Sequence, residues 1–136
     1  MKNLILLFTI LGNIFLFGQA NQERAKYKIK PVKTVYEKVD RDATFPGGLN
    51  NFRAIFSQRF NTNNVKANSK IIKSVVSFII EKDGTISNIK AVGNNSSFNR
   101  EAINTIKKIN IKWNPALIKR EAVRQRFKLP LTMNFE

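Results

Sequence analysis

Residues 75–92 read VVSFIIEKDGTISNIKAV. The apolar run begins earlier, at Ile71, and IIKSVVSFII is β-branched and of strand length. One face of that strand carries Ile72, Val76, Phe78 and Ile80, and the other Lys73, Val75, Ser77 and Ile79. Apolar residues on both faces predict a central strand. Asp83-Gly84 is a strong hairpin signal, and ISNIKAV returns as the partner strand. Ile86 and Ile89 are out of phase by one residue, which predicts a β-bulge or an early change of face.

Outward from this hairpin, each flank carries a helix. Upstream, Leu49, Phe52, Ile55, Phe56 and Phe60 share one helical face. Phe45-Pro46-Gly47-Gly48 precede it. No GK[ST] follows these glycines and no strand immediately precedes them, so the phosphate-loop context fails and the pair is read as a turn. Downstream, SSFNREAINTIKKIN is a second helix, with Asn99 expected as N-cap, Phe98 and Ile103 as a hydrophobic staple, and Ala102, Ile103, Ile106 and Ile109 as the buried stripe. Glu101 reads as a favourable helix-start charge. The last segment, AVRQRFKLPLTMNF, carries apolar Val123, Phe127, Leu129, Leu131, Met133 and Phe135 at odd positions and polar Arg124, Arg126, Lys128, Thr132 and Asn134 at even ones. That period predicts a long strand with one buried face. Pro130 lacks an N–H, so part of this strand is expected to be a free edge. The order α-β-β-α-β predicts an α+β domain over 45–136: a small antiparallel three-stranded sheet with both helices on one face.

The chain has 136 residues and fits one such domain. Its first twenty residues hold one lysine, a 14-residue apolar run from Leu4 to Phe17, and then Gly18-Gln19-Ala20. This is the layout of a secretory signal peptide, and the run is shorter than the roughly 20 residues of a membrane span. Cleavage after Ala20 would leave a polar, basic tether over 21–44, with 23 basic residues against 9 acidic ones in the exported chain, a charge of +14. Retention would instead anchor the protein in the inner membrane. Zero cysteines rule out disulfide staples and suit a bacterial envelope.

Zinc-type sites and serine or cysteine nucleophiles have no histidine or cysteine to draw on. Asp40 and Asp42 would point to opposite faces of an extended segment, and Asp83 belongs to its turn. Enzymatic activity and a cofactor are therefore not expected. The basic surface favours anionic partners, in an envelope the cell wall or lipid components, with nucleic acid excluded by compartment.

Taken together, "FPGG" at 45–48, the 75–92 hairpin, "NREAINTIKKI" at 99–109, "KWNP" at 112–115 and the final strand resemble the C-terminal domain of TonB, in its Bacteroidetes form. The resemblance runs from about Val35 to Phe135, with Lys119-Arg120 where relatives often carry Asn-Gly. It marks Phe45, Pro46, Gly47, Gly48, Asp83, Gly84, Trp113, Pro115 and Pro130 as structural. It implies a periplasmic module that engages the periplasmic segment of an outer-membrane TonB-dependent receptor by β-strand addition, in the service of transmembrane transport. A homodimer stays open as a further partner. The expected receiving edge is the last strand, with Arg124, Arg126 and Lys128 as its selective side chains.

Overall fold

A computed structural model describes residues 34–135. The expected signal peptide and residues 21–33 of the expected tether lie outside the described residues. The described domain begins at Thr34. Its elements are β1 (Val35–Tyr36), α1 (Gly48–Arg59), β2 (Ile71–Ile80), β3 (Ile86–Gly93), α2 (Ser96–Lys108), β4 (Ala116–Ile118) and β5 (Glu121–Asn134). A 3-10 turn at Thr62–Asn64 follows α1.

The sheet is larger than the three antiparallel strands expected. Five strands form it, in the order β1-β5-β2-β3 with β4 also paired to β5, and β1 runs parallel to β5. The two additions are short, and neither carries an apolar period that sequence could show. Residues 35–44 are held largely by backbone pairing: Val35 aligns with Arg124, Arg41 bridges Leu117 and Thr44 bridges Asn114. Buried Gln125 fastens the same stretch, accepting from the Ala43 N–H and donating to Asp42.

The central hairpin forms as the sequence predicts. β2 pairs β3 on one side and β5 on the other, and the β2–β3 register shifts between Ser77 and Ile79. Asn88, at φ 52°, takes up the bulge opposite. The turn is a three-residue loop in which the Glu81 N–H bonds the Thr85 carbonyl. Asp83 accepts from both the Thr85 N–H and its hydroxyl, and these bonds hold its carboxyl below the usual range. Gly84 sits at φ 84°, and a Cβ there would lie 2.1 Å from the Trp113 carbonyl oxygen.

Both helices cover the even-numbered face of β2. Phe52 and Phe56 of α1 meet Val76, Phe78 and Ile80, together with Ala102, Ile106 and Ile109 of α2. The FPGG stretch turns the chain into α1. Phe45 is buried edge-on against Phe52 at 5.1 Å, Gly47 and Gly48 have φ of 82° and 87°, and the Asn51 amide donates to the Pro46 carbonyl. Leu49, expected on the buried face, is exposed.

The cap of α2 is Asn95, not Asn99. Asn95 Oδ1 accepts from the Phe98 N–H, one turn earlier than expected. The earlier start lets Phe98 drop into a second small core with Val65 and Ile72 rather than act as a staple before the helix. It also moves Glu101 out of the first turn. Its buried carboxylate accepts from the Asn61 N–H at 3.0 Å and the Asn64 amide at 2.9 Å, tying α2 to the 3-10 turn. Burial opposes the charge, but these two bonds, Lys108 and Thr105 outweigh it and set the Glu101 pKa below its ordinary value. A depressed folded pKa contributes stability that is present above the unfolded pKa and lost as pH falls through the folded one. Glu101→Gln should therefore lower stability at neutral pH and flatten its fall toward pH 3, read by urea denaturation across that range.

The β4–β5 hairpin turns on Lys119 and Arg120, at φ 48° and 65°. Both are left-handed, the conformation that Asn-Gly adopts at least cost. A left-handed non-glycine residue costs roughly 1–2 kcal/mol. Asp40 offsets part of this by accepting from the Lys119 N–H at 2.8 Å. Lys119→Asn with Arg120→Gly should raise the melting temperature, equivalent to about 1 kcal/mol or more.

Candidate functional site

The long β5 is paired along one side only for most of its length. Its register with β2 runs without interruption from Ile71↔Asn134 to Ile80↔Gln125. The Phe135 N–H donates to the Lys70 carbonyl at 2.7 Å, so odd positions of β5 turn their backbone groups toward β2. Even positions turn theirs to the other side. There, β1 aligns only with Arg124 and Gln125. From Arg126 to Asn134 the outer edge has no partner strand among the described residues. Pro130 is an even position, so its missing N–H removes no bond to β2.

Beside this edge, on the helix side, lies a groove of about 380 Å³. Phe56 and Phe60 of the first helix and its end, Phe98 of α2, and Leu131 and Met133 of β5 line it, with Arg53 at its rim. Phe60 stacks at 5.6 Å from Phe56 and 5.5 Å from Phe98, which fixes the groove's floor. A strand added to the edge would thus have an apolar slot under one of its faces.

The three cations expected at this edge divide. Arg124 aligns with Val35 and forms an ion pair with Glu81, Nε to Oε2 at 2.7 Å. That carboxylate raises the Arg124 pKa above its ordinary value. Arg126 and Lys128 lie along the unpaired stretch, opposite Ile79 and Ser77 of β2. The remaining expected residues are structural. Phe45, Pro46, Gly47 and Gly48 start α1, Asp83 and Gly84 make the hairpin turn, and Pro115 immediately precedes β4. Trp113 is core. The groove itself was not foreseen, because it joins α1, the 3-10 turn and β5 across long sequence separations; Phe60 at the end of an aromatic helical face was its one visible signal.

Among the described residues no helix is long and apolar enough to cross a membrane, and no group of acidic, histidine or cysteine residues could hold a metal. An unpaired strand edge beside an apolar slot has the geometry that strand addition uses. Residues 72–135, which span β2 through β5, match the family described as Gram-negative bacterial TonB protein C-terminal. The chain matches no curated protein and no solved structure.

Proposed function

We propose that this domain is a periplasmic binding module that takes a short extended segment of an outer-membrane TonB-dependent receptor as an added strand on β5. The observation that carries this reading is the unpaired edge from Arg126 to Asn134 running beside the aromatic groove. Backbone bonds to even positions supply affinity, and alternate guest side chains supply selectivity. One set enters the slot lined by Phe56, Phe60 and Met133 and is apolar. The other passes over Arg126 and Lys128 and is acidic or polar. The domain binds and does no chemistry of its own.

Receptor periplasmic peptides titrated into the protein test this, with hydrogen exchange locating the contact. Protection should appear at 126–134. Arg126→Glu with Lys128→Glu should weaken an acidic peptide by about five- to thirtyfold at low salt, since exposed charge contacts are worth roughly 0.5–1 kcal/mol each. Arg124 is left alone in this test, because its reversal would set two carboxylates against each other at Glu81. A folded double mutant that binds acidic peptides with undiminished affinity removes the charged side chains from the selective surface. Protection confined to another strand sinks the edge assignment.

A further inference from the structure

We propose that the face of the sheet turned away from α1 and α2 is a docking platform for an anionic lipid surface. Directly aligned residues of neighbouring strands share a face. Three such rows span β3, β2 and β5 or part of them: Lys90–Ser77–Lys128, Val92–Val75–Pro130, and Lys73–Thr132. Arg126 extends the platform toward the Arg124–Glu81 pair. Lys73, Lys90, Arg126 and Lys128 therefore stand on one face with no carboxylate partner among the described residues, and the acid aligned with this face, Glu81, is already held by Arg124.

Between the cations runs an apolar strip. Val75 is 45% and Val92 75% exposed, and Ile71 beyond Lys73 is 57% exposed. Lysine stems reach past such side chains to place their ammonium groups at phosphates, while short apolar side chains enter the boundary between headgroups and acyl chains. A soluble polyanion would satisfy the lysines and leave the valines in water. A second copy would bring like charges face to face. An anionic bilayer meets both chemistries at once. The edge groups of β5 lie in the plane of the sheet, so docking through this face does not depend on strand addition; an acidic guest would occupy Arg126 and Lys128, while Lys73 and Lys90 stay on the platform.

The chain has no cysteine, so a single one can carry a probe. An environment-sensitive fluorophore on Val92→Cys reads the platform, and the same dye on Gln58→Cys in α1 reads the helix side. The probes are local because the apolar run near the N-terminus could partition into any vesicle. With phosphatidylglycerol vesicles the Val92 probe should shift to the blue and the Gln58 probe should not. Phosphatidylcholine vesicles should leave both unshifted. Lys73→Thr with Lys90→Thr, in protein with an unchanged melting temperature, should raise the lipid concentration at half-shift about 25-fold, since each cation near an anionic surface is worth roughly five-fold. No shift at Val92, or one that the double substitution leaves untouched, overturns the proposal. A shift with heparin but not with vesicles would also overturn it and make the face a polyelectrolyte site.

Discussion

Trp113→Ala should be among the most damaging single substitutions in the domain, lowering stability by roughly 3–5 kcal/mol. The indole is 4% exposed. Four phenylalanine rings surround it: Phe127 at 5.0 Å, Phe52 at 5.2 Å, Phe45 at 5.3 Å and Phe78 at 5.7 Å. These rings come from β5, α1, the turn before α1, and β2, so truncation opens a cavity where four segments meet. None can collapse into it without moving its own element. The Trp113 backbone also bonds the hairpin turn, its N–H donating to the Gly84 carbonyl at 2.9 Å. That bond survives substitution, so the loss measured by chemical denaturation is one of packing. The indole Nε1 is buried with no hydrogen-bond partner among the described residues. Trp113→Phe therefore forfeits volume but no hydrogen bond, and should cost well under half of what alanine does.

This position shows what the sequence could and could not convey. A lone tryptophan between a helix and the last strand was legible as a core residue, since a large ring flanked by a proline and a strand has few other places to go. That it is the hub of the aromatic core was not, because Phe45, Phe52, Phe78 and Phe127 lie up to dozens of residues away. The hairpin, its bulge and β5 were legible because each rests on a local period or turn signal. Strands β1 and β4 were not. With two and three residues they have no period, and backbone pairing and Gln125 hold the stretch around them. The cap of α2 misled for a different reason. Asn95 and Asn99 are both good caps, and the choice falls to Asn95 because Phe98 gains a buried site against Val65 and Ile72. Periodicity puts the three cations expected at the edge on alternate, even positions of β5. Only the register with β1 and the Glu81 partner distinguish Arg124 from the other two.

The edge assignment leads to a test by parity along β5. Thr132 is an even position, exposed, with its backbone groups turned away from β2, as are those of Pro130. Leu131 is an odd position aligned with Ser74, and its N–H faces β2. Leu131→Pro removes a ladder bond inside the sheet and forces a ring against the neighbouring strand, so it should cost about 3 kcal/mol or more or prevent folding. Thr132→Pro removes a donor that no described strand uses. Its stability loss should stay near 1 kcal/mol, from the changed backbone preference alone. Its effect on binding should be the reverse. With Pro130 it leaves two successive outward positions unable to donate, and the rings obstruct an incoming strand. Affinity for a receptor peptide should fall about ten- to a hundredfold, one bond at roughly 1 kcal/mol plus the steric term of the second ring. Melting temperatures and peptide titrations on the two variants separate the cases. If Thr132→Pro binds as tightly as the parent protein, the guest does not pair with this stretch of β5, whatever else holds it.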